Sequence, residues 1–376
     1  MKVLLVITGL SMGGAEKVVT DLADALVKAG CQVMLVYLKQ PLQVRPRQDA
    51  VAMVCLDMDS AAAALPGYLR FRRIVQDFKP DIVHAHMFHA SLLARLARLS
   101  MPIASVVSTM HTAYDGGRLR ALAYRLTDRL TDISTNVSCE AVEAFTTGGA
   151  VRAGRMVAIH NGICVDEFQR SQDARTKVRA AFAIDEGCRL FVAAGRLDWS
   201  KDYPNLFQAL ARLPRDLRYT LLVAGEGPLR PELEAQVAAL GLGARVRFLG
   251  IRHDIPELMA AADVFVLSSV GEGFGLVVAE AMACECVVVA TDSGGVREVL
   301  GDAGFLVPSR DPAALAAALL AATSLSSETA AGIGSAARRR VVAMYSFARA
   351  VDRWRELYAS LLAGAGEPVS QPRSAS

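Results

Sequence analysis

Glu272 and Glu280 stand eight positions apart in the run Gly271-Glu272-Gly273-Phe274-Gly275-Leu276-Val277-Val278-Ala279-Glu280. On one continuous helix eight residues rotate a side chain by about 80° at ~3.6 residues per turn, so the two carboxylates would not share a face. The three glycines around Glu272 point to another geometry, with Glu272 in a loop and Glu280 two turns inside a helix that opens near Phe274. Between them lies a helix N-terminus, whose first N–H groups have no acceptor within the helix and are ready for an anion. Arg196 and Lys201 follow a strand-like run and a glycine, and add two cations. Carboxylates for hydroxyls, with cations and amides for phosphates, suit a ligand that carries both, such as a nucleotide-sugar. Expelling a nucleoside diphosphate develops negative charge, which fixed cations and amides can stabilise without a metal.

The elements that must position these groups alternate strand and helix. Residues 2–8 (KVLLVIT) form a β-branched apolar run fit for a strand buried on both faces. A loop with Gly13-Gly14 follows, then a helix over 15–29 closed by Gly30, then a strand over 32–38. This βαβ opening predicts an open parallel sheet. Gly9, Gly13 and Gly14 do not match G-x-G-x-x-G, which counts against a dinucleotide oxidoreductase, but a Gly-Gly pair lets backbone approach a phosphate or sugar closely. His84 and His86 fall on one face of a strand over 80–86. With His89 they lack the carboxylate or cysteine that would complete a metal site, so strand-end packing or lining a cleft is expected of them. Asp57-Met58-Asp59 reads as a solvated turn. His111 follows a strand over 103–109, where parallel sheets place ligands, and its near-neutral side chain suits acid–base or hydrogen-bonding work.

After Gly116-Gly117, residues 118–130 put Leu119, Leu122, Ala123, Leu126 and Leu130 on one stripe, with Arg118, Arg120, Arg125 and Arg129 elsewhere. A core-packed helix is the ordinary reading and a membrane-surface helix the other. Alternation resumes after a polar stretch over 161–175. Strands are expected over 190–194, 219–224, 246–249, 264–267 and 287–290, and helices from 204, up to 240, and over 255–261, 312–322 and 347–362.

The chain has 376 residues, room for two domains, and its 53% hydrophobic against 21% charged residues indicates large cores. Seven scattered cysteines do not suggest a disulfide framework, and a reducing cytoplasm is the expected setting. No signal peptide or spanning segment is expected. The net charge of +3 divides into +5 over residues 1–163 and −2 beyond. A basic first half suggests an anionic partner on that side, with ordinary surface variation as the other reading.

Gly195-Arg196-Leu197 with Lys201, Gly225-Glu226-Gly227-Pro228, the Glu272 to Glu280 run continuing through Cys284, and Thr291-Asp292-Ser293-Gly294-Gly295 with Glu298 stand in an order that resembles the family 4 retaining glycosyltransferases. Gly13-Gly14-Ala15-Glu16 and His160-Asn161-Gly162-Ile163 fit as well, and the resemblance covers about residues 1–362. It implies an α/β fold of GT-B type, with two Rossmann-like doubly wound parallel-sheet domains facing across a cleft. An acceptor-binding domain would span 1–165 and a donor-binding domain 166–346. Helix 347–362 would cross back onto the first domain, and the tail 363–376 would be disordered.

By matched position the resemblance makes His111, near the reacting carbon, and Glu272, on the sugar hydroxyls, the catalytic residues. Glu280 would bind the ribose. Arg196 and Lys201 would hold the diphosphate, with help from Gly13 and Gly14, and the backbone of Gly273, Phe274, Gly275 and Leu276 would face the phosphates. Gly225, and Arg252 toward the base, complete the donor site. The implied activity is retaining transfer of a hexose-type sugar from a UDP-sugar to a polysaccharide or lipid-linked saccharide, in cell-surface glycan or lipopolysaccharide synthesis. No metal, no cofactor beyond the nucleotide-sugar co-substrate and no nucleic acid is implied. The expected location is the cytoplasm, peripheral to the inner face of the membrane. The alternatives are a GT-B nucleotide-sugar epimerase or phosphorylase, and an inactive binding subunit. Three residues depart from the family's pattern: Glu285 where glycine is usual, Val287 where proline is usual, and Cys164 where aspartate is common. If the glycine's left-handed geometry persists, Glu285 costs about 1 kcal/mol.

Overall fold

The structure is a computed structural model that describes residues 1–113 and 117–364. Gly116 and residues 365–376 of the expected tail lie outside the described residues. The chain divides into two compact units, one of residues 1–162 with the chain from Ala348 onward, the other of Ile163–Phe347.

In the first unit, strands β1 (Lys2–Leu10), β2 (Gln32–Leu42), β3 (Ala52–Cys55), β4 (Ile82–His86), β5 (Ser105–Met110), β6 (Ile133–Asn136) and β7 (Met156–Ala158) form a sheet in the order β3-β2-β1-β4-β5-β6-β7. All pairs are parallel. Alternate side chains of β1 serve two cores, as expected of a strand with helices on both faces. Val3, Leu5 and Ile7 pack with Val19, Leu22 and Leu26 of helix Gly14–Lys28 and with Trp354, Leu357 and Tyr358 of helix Phe347–Leu362. Leu4 and Val6 pack with Phe71 and Val75 of helix Ala64–Phe78 and with Ala90 and Ala94 of helix Phe88–Ala97.

The second unit repeats the plan. Strands β8 (Arg189–Ala194), β9 (Tyr219–Ala224), β10 (Val246–Gly250), β11 (Val264–Leu267), β12 (Val287–Asp292) and β13 (Phe305–Pro308) are parallel in the order β10-β9-β8-β11-β12-β13. Strand order reverses direction at β1/β4 in one sheet and at β8/β11 in the other. In open parallel sheets ligands bind beyond the C-terminal ends of the strands at such switch points. The loops after β8 and β11 carry Lys201 and Glu272, and those after β1 and β4 carry Gly13 and, past His86, Met87.

One packing expectation is corrected. The segment over 118–130 folds as a helix, Arg118–Thr127, followed by a 3-10 turn, Asp128–Leu130. Its leucine stripe is not in the core: Leu119, Leu122 and Leu126 are 84%, 51% and 73% exposed, while Tyr124 and Thr127 are buried. The reason lies beneath the helix, where the fully buried Arg95 guanidinium donates to the Tyr124 carbonyl at 3.2 Å, Thr127 Oγ1 at 3.3 Å and Ser134 Oγ at 2.8 Å. It also lies 4.0 Å from the Tyr124 ring centroid. A buried cation needs these oxygens and this π-face, so the helix turns its polar side inward.

Candidate active site

The loop after β8 begins at Gly195, and Gly225 crosses it at φ +148°, where a Cβ would run into the Gly195 carbonyl oxygen. Gly225 also donates its N–H to the Gly250 carbonyl at 2.8 Å, so three strand ends meet backbone to backbone. The loop then makes a 3-10 turn, Trp199–Lys201, capped by Asp198, whose Oδ1 accepts from the Ser200 N–H at 3.0 Å and its hydroxyl at 2.6 Å. Two bonds staple this turn to the loop after β11: Ser268 Oγ donates to the Lys201 carbonyl at 2.8 Å, and the Val270 N–H to the Ser200 carbonyl at 2.8 Å.

That staple brings Lys201 Nζ to 2.5 Å from Glu272 Oε1, with the two side chains 18% and 11% exposed. Ser269 Oγ donates to the same oxygen at 2.7 Å. Both donors pull the carboxylate toward the turn. Tyr203 lies beneath, its hydroxyl donating to the Gly195 carbonyl at 3.2 Å; burial, then the charges of Glu272 and Asp198, push that hydroxyl far up. The Glu272 backbone is held from the other side by Gly294, at φ +56°, where a Cβ would overlap the Glu272 carbonyl oxygen.

Helix Leu276–Ala283 starts just after this, with Gly275 as a left-handed N-cap at φ +87°. Gly273 and Phe274 therefore belong to the loop, and the helix starts two residues later than the expected Phe274. The Phe274 ring is buried, edge-on to Tyr345 with centroids 5.4 Å apart, so only its backbone can face a ligand. Glu280 sits half-buried in the helix, and Glu272 in the loop before it. The helix ends in a Schellman turn: the Cys286 N–H bonds to the Ala281 carbonyl and the Glu285 N–H to that of Met282, both at 3.1 Å. Glu285 occupies its left-handed position at φ +59°, so the glycine geometry persists with a glutamate in it.

Two expected donor ligands are less committed. Arg196 is 68% exposed and lies 3.8 Å from Asp198 Oδ2. Arg252 forks onto Asp254 with bonds of 2.7 and 2.5 Å. In the first unit, Gly13 caps helix Gly14–Lys28, and the Glu16 carboxylate covers it so closely that a Cβ there would collide.

His111 follows β5, and its Nε2 lies 3.1 Å from His86 Nδ1. His84 is bonded at both nitrogens, to the Tyr358 hydroxyl at 2.5 Å and to Thr109 Oγ1 at 2.6 Å. Burial pushes all three histidines down, His111 to about 4, so the cluster is neutral at pH 7. Position in the chain, together with the resemblance, singled out Lys201, Glu272 and His111 as candidates. The sequence did not point to Ser269, Asp198, Tyr203 or Gly294 as the groups that pack and bond around the Lys201 and Glu272 loops; for His86, the shared parity with His84 was the available signal.

The family description "Glycosyltransferase Family 4" matches residues 12–167, and "Glycosyl transferases group 1" matches residues 174–340. A putative glycosyltransferase, EpsD of Bacillus subtilis, is 30% identical over 262 residues, covering 66% of this chain and 69% of that protein. A D-inositol 3-phosphate glycosyltransferase of Geodermatophilus obscurus is 31% identical over 329 residues, covering 78% and 69%. Among solved structures, Anabaena Alr3699/HepE in complex with UDP and glucose superposes with a TM-score of 0.84 at 24% identity, over 96% of this chain and 100% of that one. These likenesses favour transfer over the epimerase or phosphorylase alternative. With two doubly wound parallel sheets of the GT-B type and matches spanning both of its units, this chain belongs to the family 4 glycosyltransferases.

Proposed function

We propose that the chain transfers a hexose-type sugar, with retention and without a metal, from a UDP-sugar to a polysaccharide or lipid-linked saccharide acceptor on the cytoplasmic face of a membrane. The observation that carries this reading is the Lys201–Glu272 pair at the switch point of the second sheet, at 2.5 Å, beside the Gly275-capped helix. Lys201, with Arg196 at the rim, supplies charge for a departing diphosphate. The first-turn N–H groups of Leu276 and Val277 supply hydrogen bonds. Glu272 faces the sugar hydroxyls, Glu280 the ribose, Arg252 and Gly225 the base side of the donor, and the Gly13-Gly14 loop the diphosphate. His111, neutral, offers a hydrogen bond near the reacting carbon. A UDP-sugar is taken as the donor because the HepE structure was solved with UDP.

A thermal-shift screen with UDP-, GDP- and ADP-glucose, each with and without EDTA, tests the donor site, because a ligand of the native state raises the melting temperature. A shift with UDP-glucose that survives EDTA and is lost in Lys201→Ala and Glu272→Ala is expected. No shift with any sugar nucleotide would sink the reading, and an inverted product anomer by NMR would sink retention.

No single helix among the described residues is long and apolar enough to cross a membrane. The membrane part of the proposal rests instead on helix Arg118–Thr127. Its exposed Leu119, Leu122 and Leu126 share one face, and the exposed Arg118, Arg125 and Arg129 adjoin it. Apolar side chains flanked by arginines match an anionic bilayer surface. Vesicles of anionic lipid at low salt should sediment the protein, and Leu119→Asp with Leu126→Asp should abolish this without changing the donor-induced thermal shift. Failure of the unaltered chain to bind would remove the membrane from the proposal.

A further inference from the structure

The three histidines of the first unit form an ordered row. His84 is locked by Tyr358 and Thr109, with Thr109 Oγ1 bonded on to Thr135 Oγ1 at 2.6 Å. Its ring lies 3.9 Å from that of His86, centroid to centroid, and 4.5 Å from that of Trp354. His86 is thus held against a fixed neighbour and reaches His111 through one N···N contact of 3.1 Å. The outer atoms of this pair, His86 Nε2 and His111 Nδ1, are buried without a partner.

Two neutral imidazoles in contact share one proton between them, and its position dictates both outer nitrogens. If His111 donates from Nε2, then His86 carries an orphaned N–H at Nε2, deep in a residue only 1% exposed. If His86 donates from Nδ1, the orphan there is a bare nitrogen and the unpaired N–H moves to His111 Nδ1, on the half-buried residue at the end of β5. Orphaned buried N–H groups are rarer, and cost more, than orphaned acceptors. The second arrangement leaves the costly donor on His111, the less deeply buried of the two rings.

We infer that His86 is a positioning residue for His111: its Nδ1–H fixes His111 in the Nδ1–H tautomer and presents that N–H to an acceptor, a hydroxyl oxygen of the bound sugar. The inference rests on the proposed placement of His111 near the reacting carbon only for its catalytic consequence. The tautomer itself is a property of the unliganded chain.

The chain has six histidines, few enough for long-range 1H–15N correlation of histidine-labelled full-length protein, with assignment by single substitution. At pH 7, His86 and His111 should both appear as neutral Nδ1–H rings. In His86→Leu, His111 should shift toward Nε2–H. Turnover of whichever of UDP-, GDP- and ADP-glucose gives the largest thermal shift should fall about tenfold in kcat, the scale of one misdirected hydrogen bond. The KM for that donor should move by less than about twofold, since the bulk of donor binding lies elsewhere. His86→Asn, whose amide N–H2 stands where Nδ1–H stood, should restore both readouts and guards against a leucine variant that fails to fold. An Nε2–H ring at His111 in the unaltered protein, or an unchanged His111 tautomer in folded His86→Leu, overturns the inference. A switched tautomer with unchanged kcat upholds the positioning and instead overturns the placement of His111 at the reacting carbon.

Discussion

Replacing Lys201 by methionine should destabilise the second unit more than replacing Glu272 by glutamine, and the double variant should be more stable than Lys201→Met alone. Opposite charges about 4 Å apart attract by ~4 kcal/mol at an effective dielectric of ~20. Here the contact is 2.5 Å, and the side chains are 18% and 11% exposed, so desolvation offsets part of that attraction. Removing Lys201 leaves a carboxylate, 11% exposed, whose Oε1 still accepts from Ser269 Oγ. Breaking a fully buried pair costs ~3–5 kcal/mol; the residual exposure lowers this to about 2. Glu272→Gln leaves a neutral amide opposite a lysine that can turn toward solvent, at about 1 kcal/mol. The coupling in a double-mutant cycle should be ~1–2 kcal/mol. Urea unfolding of the full chain measures it, followed by Trp199 on the same turn as Lys201, in a Trp354→Phe background that silences the other tryptophan. In 1 M salt the coupling should persist in large part, because groups this enclosed are weakly screened. A coupling under about 0.5 kcal/mol, or one abolished by salt, would show a loose surface pair and refute the claim that the two loops are stapled around it.

Three further outcomes follow from the geometry. Burial holds His111 near 4 against an ordinary value of 6.5, and His84 and His86 well down too, so below about pH 6.5 the unfolded chain binds more protons than the native one. The first unit's stability is therefore complete above pH 6.5 and falls as pH drops toward 4. Urea midpoints from pH 7 to 5 should show the decline, and His111→Asn should lessen it; a flat profile would refute the burial argument. Glu285→Gly should raise the second unit's stability by about 0.5 kcal/mol, since relief of a left-handed Cβ at ~1–2 kcal/mol exceeds glycine's added unfolded-state entropy. Glu285→Ala, which keeps the Cβ, should not, and calorimetry distinguishes them. Gly294→Ala pushes a Cβ into the Glu272 carbonyl and should weaken UDP-glucose binding at least tenfold by titration calorimetry; unchanged binding would mean that the loop shifts at no cost.

The sheets were legible in the sequence because most of their strands are apolar runs such as Leu190 to Ala194 and Tyr219 to Ala224, bounded by glycine or polar turns. Helix Ser327–Tyr345 was not, although it is 19 residues long, because it buries only Gly334, Ala337, Val341 and Tyr345 and has no leucine stripe. Strand β13 was hidden by its length of four residues and by the proline that ends it. Helix Arg118–Thr127 had a legible period and a misleading face, since its packing answers to Arg95, distant in sequence. At the site, Lys201 and Glu272 announced themselves by charge beside glycine. Ser269 and Asp198 did not, since a serine or aspartate in a loop looks alike whether it caps a turn or faces water.

The chain enters the second unit at Ile163 and leaves it at Phe347, and the two passages are bonded side by side: the Ile163 N–H to the Tyr345 carbonyl at 2.8 Å, the Phe347 N–H to that of Ile163 at 2.9 Å. The second unit is thus an insertion with joined ends, and the first unit receives its last helix only after the insertion has been made. At ~5–20 residues per second, the roughly 185 residues of Ile163–Phe347 occupy about 10–40 s of synthesis. Throughout that interval the nascent first sheet lacks Trp354, Leu357 and Tyr358, its β1 face is covered only in part, by helix Gly14–Lys28, and His84 has the Thr109 hydroxyl but not that of Tyr358. The ribosome therefore carries a half-built domain with an apolar face partly open to chaperones. Truncation before residue 354 should be felt first as aggregation of the N-terminal half, far in sequence from the cut.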